Sequence, residues 1–188
     1  MYQKIIEYAE ALDKISRERR RDFHRYPETA WLEMRTSAVI AKVLTELGYE
    51  VLTGKDVCLE SSRLGVPSSE ELKEHAERAL LQGAPAEYLT EEMRAGFTGV
   101  IGILRCGEGP VTALRFDIDA LGLTEDENVN HRPFAEGFAS RNPGMMHGCG
   151  HDGHAAIGLG VAEVLMKIKD GLHGTVKLIF QPGEEGAK

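Results

Sequence analysis

Apolar side chains recur every three or four residues along three stretches of the chain, a spacing that predicts amphipathic helices. Gly48 favours the end of the second stretch, because glycine readily takes the left-handed conformation that closes a helix. Pro27 limits the first, because the residue before a proline avoids the helical region. The three predicted helices cover about residues 3–25, 34–47 and 153–169.

A more polar region at about 55–96 interrupts this pattern. Within it, a helix is predicted over 69–82 with Ser69 as its N-terminal cap. A shorter helix is predicted from Pro85 to near Gly96, since proline fits the first turn of a helix. The region is therefore interpreted as a helical insertion at the edge of a domain.

Short apolar runs bounded by glycine and proline predict the strands. Two of these runs are separated only by the turn at 107–110, so they are predicted to form a hairpin. Strands that alternate with helices indicate a three-layer α/β domain, with the helices packed on the sheet. The predicted strands cover about residues 49–52, 97–104, 111–117 and 175–181.

Composition narrows the class of protein. The 188 residues include 42% hydrophobic and 28% charged residues, which is typical of one globular domain. The net charge of −8 argues against a nucleic-acid partner. No apolar run reaches the roughly 20 residues of a membrane helix, and no apolar signal core follows Met1. Three cysteines do not suggest a disulfide framework, so a cytoplasmic location is predicted.

The chain concentrates its reactive side chains between residues 145 and 154. Imidazole, thiolate and carboxylate groups together suit a transition metal such as zinc, manganese or cobalt. An alternative is a cysteine nucleophile, Cys149, with a histidine as its base. Asp152 is predicted to cap the helix that follows. The candidate groups are His147, Cys149, His151, Asp152 and His154.

Acidic residues follow two of the predicted strands. Asp117 and Asp119 are two residues apart, so both point to one face, as ligands, as orienting groups or as a solvated strand end. Glu184 and Glu185 are adjacent, so one can bind a metal while the other acts as a general base. His24 either faces the active site or has a structural role at its helix end.

Four segments together resemble the M20 peptidase family, in its aminoacylase-like branch. The resemblance implies a three-layer zinc-peptidase-like catalytic domain that binds two divalent metal ions, manganese or zinc. Residues 60–65 and 138–146 resemble the subgroup that cleaves p-aminobenzoyl-glutamate, in folate catabolism. The four matching segments are residues 20–28, 115–121, 147–154 and 180–185.

The resemblance also implies a division of labour in the site. Cys149 bridges the two metals as a thiolate, His151 binds one of them and Glu185 binds the other. Glu184 is the catalytic base, and Asp119 matches the aspartate of the family's His-x-Asp motif. The three metal ligands are expected to lie together at the carboxyl edge of the sheet.

Two positions depart from the family pattern. Asp117 stands where the His-x-Asp motif has its histidine, whose ligand role is expected to pass to His151. Gly183 stands where many relatives have alanine. Relatives are roughly twice as long, so residues 1–188 are expected to be the N-terminal part of the catalytic domain. Its C-terminal part and the dimerisation domain would then be absent.

The implied activity is hydrolysis, by a metal-activated water, of the amide bond in p-aminobenzoyl-glutamate or a related N-acyl amino acid. The full-length form is expected to be a homo- or hetero-oligomer, and this chain alone is expected to have little activity. The alternative is a truncated, catalytically inactive chain that binds metal or serves as a partner subunit.

Overall fold

The computed structural model describes residues 2–186 as seven α-helices and four strands, with three short 3-10 turns. Among these residues, no helix combines the length and the apolar character that crossing a membrane requires. The helices are α1 Tyr2–Ala11, α2 Asp13–Arg25, α3 Met34–Leu47, α4 Ser69–Leu81, α5 Glu91–Arg94, α6 Arg132–Ala135 and α7 His151–Ile168. The strands are β1 Glu50–Thr53, β2 Val100–Arg105, β3 Val111–Asp117 and β4 Thr175–Gln181.

The four strands form one sheet in the order β1-β2-β4-β3. β4 pairs antiparallel with β2 and parallel with β3, so the predicted hairpin between β2 and β3 is wrong. The parallel pair needs a long crossover, and α7 supplies it. At the start of β4, Cys106 N–H donates to Gly174 O at 2.8 Å and Thr175 N–H donates to Pro110 O at 2.9 Å. These bonds hold β4 between the ends of the other two strands.

Both long helices that pack on the sheet lie on the same face. Gly102 of β2 lets the Leu44 side chain of α3 approach the sheet, and Gly158 of α7 lies against Phe116 and Phe180. Gly102 pairs in register with Leu178, which shares a face with Phe180 two residues later. The α/β class is thus as predicted, and the described residues contain two of the three predicted layers.

Helix ends differ from the prediction at three places. The first helix divides at Leu12, whose N–H donates to Ala9 O, three residues back instead of four. Ser68, not Ser69, caps α4, because its extended backbone directs the hydroxyl oxygen to the Glu71 N–H at 3.2 Å. The helix expected from Pro85 shrinks to the four residues of α5.

The carboxyl ends of β3 and β4 position the candidate site. Ile118 N–H donates to Gln181 O at 3.0 Å, so the chain leaves both strands side by side. An isolated bridge between Leu121 and Met146 then draws the histidine-rich loop to the same edge. Residues far apart in sequence therefore meet beyond the ends of two neighbouring parallel strands.

Candidate metal centre

Three side chains of metal-binding type converge at this edge of the sheet. One ligand atom each from Cys149, His151 and Glu185 lies within 4.8 Å of the other two. Gly150, with φ 104°, is the residue that turns the chain into α7 between the cysteine and the histidine. His151 is buried, Glu185 is half-buried and Cys149 is exposed. The convergence predicted for these three residues is therefore present.

The donor atoms and the charge of this cluster suit a divalent metal ion. Glu185 Oε1 is buried and accepts no hydrogen bond among residues 2–186. A hydrogen bond to Glu185, then burial and the surrounding carboxylates, raise the pKa of the Cys149 thiol. A cation would relieve this crowding of acidic groups, and sulfur, nitrogen and oxygen are the donors that zinc accepts.

Hydrogen bonds to Asp119 orient the His151 ring. Its Nδ1 lies 3.0 Å from Asp119 O and 3.2 Å from Asp119 Oδ1. Because both partners are acceptors, Nδ1 carries the proton and Nε2 keeps its lone pair. Nε2 lies 3.9 Å from Glu185 Oε1, on the side of the candidate ligands. A carboxylate behind a histidine is the usual support for a metal-binding imidazole.

Asp119 and Asp117 have different surroundings although they share one strand end. Asp119 is 1% exposed, which excludes the solvated strand end, and its Oδ2 accepts the Glu185 N–H at 2.8 Å. Burial raises the pKa of Asp119. Asp117 instead lies 2.9 Å from the Arg115 guanidinium and 3.5 Å from His154 Nδ1. Asp117, His151 and His154 also form a close group, but this guanidinium disfavours a cation there.

Glu184 is placed as a base would need to be, beside the donor atoms and open to solvent. Its side chain is 41% exposed, and its Oε2 lies 3.9 Å from His151 Nε2. The cysteine-nucleophile alternative needs a reactive Cys149 thiolate beside His151, whose ligand atom lies within 4.8 Å of the sulfur. The raised pKa of Cys149 opposes a reactive thiolate.

The predicted cap at Asp152 is wrong, because Gly150 is the N-cap of α7 and no side chain caps the helix. Asp152 has other partners: its Oδ2 accepts hydrogen bonds from His24 Nδ1 at 2.8 Å and Arg20 Nε at 3.0 Å. His24 Nε2 in turn lies 2.9 Å from Glu125 Oε1. His24 thus belongs to a buried network beside the metal centre, which supports its structural interpretation.

Near the site, Glu33 carries no signal in the sequence, and His147, a candidate group of the sequence analysis, is not among the three side chains that converge. Glu33 is fully buried and accepts a hydrogen bond from Gly183 N–H at 2.8 Å. Acidic residues are common at helix starts, so its pattern is that of a surface residue. His147 is buried with neither ring nitrogen hydrogen-bonded among the described residues, and burial lowers the pKa of His147 to about 4.

Comparison with known proteins finds similarity to one peptidase family. The family model described as "Peptidase family M20/M25/M40" matches residues 113–188. Over 170 residues, the chain is 52% identical to one of the subunits of p-aminobenzoyl-glutamate hydrolase from Escherichia coli K12. It is 51% identical to indole-3-acetyl-aspartic acid hydrolase of Enterobacter agglomerans over 170 residues. Each alignment covers 90% of this chain and 39% of the relative.

A solved structure agrees with these matches. A Bacillus subtilis protein described as a dinuclear metal binding peptidase from the M20 family superposes with a TM-score of 0.62 at 33% identity. The superposition covers 94% of this chain and 36% of that one. The chain therefore spans about two fifths of the length of the proteins it matches, and nearly all of it takes part in the likeness.

Proposed function

Because residues 113–188 match peptidase family M20/M25/M40, and the chain is 52% identical to a p-aminobenzoyl-glutamate hydrolase subunit, we propose that it carries catalytic groups of a metal-dependent amidohydrolase acting on N-acyl amino acids. The observation that supports this most strongly is the convergence of Cys149, His151 and Glu185, with a buried carboxylate oxygen of Glu185 that accepts no hydrogen bond among residues 2–186. Two relatives are named for amides of glutamate and aspartate, so an N-acylated acidic amino acid is the proposed substrate. p-Aminobenzoyl-glutamate is the first candidate.

The site would hold two divalent ions, manganese or zinc. Cys149, as a thiolate, would hold the ions together with Nε2 of His151 and the Glu185 carboxylate. When bound, the ions supply Lewis-acid chemistry that polarises the scissile carbonyl and lowers the pKa of water. The sulfur, nitrogen and oxygen donors fit this assignment.

The remaining proposed steps belong to side chains of this chain. Glu184, exposed beside the ligands, would take a proton from the attacking water and pass it to the leaving amine nitrogen. Asp119 would hold the His151 ring and the Glu185 backbone in place. The products would be the free carboxylic acid of the acyl group and the free amino acid.

We also propose that the enzyme is an oligomer and that it lies in the cytoplasm. The Escherichia coli relative is named as one component of a hydrolase with more than one kind of chain, which supports association as a homo- or hetero-oligomer. All three cysteines are free thiols, which fits a reducing cytoplasm.

The test measures metal binding and amide cleavage on the same preparations. The protein is titrated with cobalt(II), whose thiolate charge-transfer band reports sulfur ligation, and assayed with p-aminobenzoyl-glutamate and indole-3-acetyl-aspartate. We expect the band in the native protein and its loss in Cys149→Ser. In the full-length protein, Glu184→Gln should keep the band while turnover falls by about 10²–10⁴-fold. A native protein without the band would contradict the metal site, and metal binding without hydrolysis by the full-length protein would favour the inactive alternative.

A further inference from the structure

The turn that carries Glu184 and Glu185 is held by two buried carboxyl groups from elsewhere in the chain. Gly183 N–H donates to Glu33 Oε1 at 2.8 Å, and Glu185 N–H donates to Asp119 Oδ2 at 2.8 Å. The two bonds lie on either side of Glu184 in the chain. The backbone from which both glutamates project is therefore fixed at two points.

Glu33 is itself immobilised at both oxygens. It lies directly before α3 and is 0% exposed, and its Oε2 accepts a hydrogen bond from Thr98 Oγ1 at 2.7 Å. Burial, and then the nearby charge of Asp119, raise the pKa of Glu33 to about 8. Both oxygens of Glu33 are engaged in hydrogen bonds within the protein, so its contact with the turn is that of a hydrogen-bonding support and not of a metal ligand.

Trp31, two residues earlier, constrains the same glycine from another side. A Cβ placed on Gly183 would lie 2.9 Å from Trp31 Cζ2, so the ring occupies the space of a side chain. Trp31 has φ 66°, a left-handed conformation that is costly for a bulky residue. Its indole N–H donates to Leu64 O at 2.6 Å, which holds the ring in place. Strain of this kind tends to cluster at functional sites.

We propose that Glu33 is a positioning residue for the candidate metal centre: through the Gly183 N–H it sets the direction in which Glu184 and Glu185 leave the turn. The inference rests on the proposed function, because it deepens the roles given there to the two glutamates. A small rotation of the Gly183 peptide would change where both side chains point. Outer hydrogen bonds to metal-site groups typically change metal affinity by about 10–100-fold.

The chain offers a matched control at Glu28, on the same segment. Glu28 is also 0% exposed, and it accepts the Arg35 and Thr36 N–H groups at 3.0 and 2.8 Å. Those bonds cap the start of α3, so the Glu28 side chain supports a helix and not the turn. A variant at Glu28 measures the cost of losing a buried carboxyl group without touching Gly183.

The experiment compares Glu33→Leu, Glu33→Gln and Glu28→Leu with the native protein. Zinc affinity is measured by competition with a chelator, and amide hydrogen exchange at Gly183 is measured without metal. Glu33→Leu should weaken zinc binding by about 10–100-fold and speed exchange at Gly183. Glu33→Gln keeps an acceptor for the Gly183 N–H, so it should restore both values to within about threefold of native. Glu28→Leu should lower thermal stability but change neither readout in the folded protein.

Should Glu33→Leu fail to fold, Glu33→Asp replaces it, because the shorter acid withdraws its oxygen from Gly183 and should also weaken zinc binding. Native zinc affinity and native Gly183 exchange in the folded Glu33 variant would overturn the inference, as would equal losses in Glu28→Leu. If the native protein binds no zinc, the proposed function fails, and exchange at Gly183 still decides whether Glu33 holds the turn.

Discussion

Two clusters of histidine and acidic groups meet at the first turn of α7. His151, the first residue of the helix, belongs to the candidate metal centre with Cys149 and Glu185. Asp152, the next residue, belongs to the buried network with His24 and Glu125. The clusters share residue types and adjoining backbone but differ in what their polar atoms contact.

In the His24 network the polar atoms face one another. Both nitrogens of His24 meet carboxylate oxygens, and Glu125 also accepts hydrogen bonds from His131 and from the Ser140 backbone. In the metal centre, Glu185 Oε1 is buried without a partner and Cys149 lies exposed. A network whose polar atoms are all hydrogen-bonded stabilises the fold. Metal-binding atoms that make no hydrogen bond and lie near solvent are instead available to a metal ion. The two clusters should therefore respond in opposite ways to substitution and to metal.

The largest effect is expected from Asp152→Ala. The change removes the carboxylate between His24 and Arg20 and leaves a buried charge without one of its partners. Breaking a buried pair in this way typically costs about 3–5 kcal/mol of unfolding free energy, which urea denaturation would measure. Asp13→Ala is the control, because it breaks a solvent-exposed ion pair with Arg17 and should lower the unfolding free energy far less. Similar losses in the two variants would contradict the structural role of the network.

The second largest difference between the two clusters is expected in zinc affinity. Glu185→Ala removes a proposed ligand and should weaken zinc binding by at least about 100-fold, or about 2.7 kcal/mol. His24→Gln should change zinc affinity by less than about threefold, because the His24 ring contacts none of the three donor side chains within hydrogen-bonding distance. Isothermal titration with zinc would decide. Comparable losses in the two variants would mean that the clusters act as one site.

The pH dependence of stability provides a third distinction. Burial alone would lower the pKa of His24, but hydrogen bonds to Asp152 and Glu125 outweigh it and raise the pKa above the ordinary 6.5. A raised pKa means that protonated His24 contributes its full stability below pH 6.5 and loses it as pH rises through the folded value. The unfolding free energy of the native protein minus that of His24→Gln should therefore fall as pH rises above about 6.5, by less than the Asp152→Ala effect.

In this difference, the contributions of titrating groups that His24 does not contact, such as Glu33, cancel, because both proteins contain these groups. A difference that stays constant or grows with pH would show that His24 is uncharged in the folded protein.

Periodicity alone was enough to predict most elements of the fold, since β4 buries alternate residues, Leu178 and Phe180, and α3 buries Ile40, Ala41 and Leu44 at helical spacing. Strand order was not accessible in this way. The insertion of β4 between β2 and β3 depends on pairing across more than 60 residues, whereas a short turn at 107–110 suggests local pairing.

The candidate site also contains residues that the sequence could predict and residues that it could not. Cys149 and His151 could be predicted to come together with Glu185, because thiol and imidazole groups are uncommon and their clustering is informative. Glu33 and Glu125 could not, because acidic residues usually lie on the surface. Only the folded structure shows that Glu33 is 0% exposed and in contact with the turn.

The smallest effect should come from Cys149→Ala without metal. Cys149 is exposed and its surroundings are acidic, so its removal should change the unfolding free energy by less than about 0.5 kcal/mol. Cys58→Ala is the control: burial raises the pKa of the Cys58 thiol, which packs beside Gly99, so this variant should lose about 1 kcal/mol of unfolding free energy.

Zinc should reverse the order of the two variants in unfolding free energy. At 100 times the dissociation constant, zinc should stabilise the native protein and Cys58→Ala by about 2.7 kcal/mol, and Cys149→Ala by much less. Urea denaturation with chelator and with zinc gives both values. A large loss for Cys149→Ala in chelator would make Cys149 a packing residue, and the distinction between the two clusters would fail.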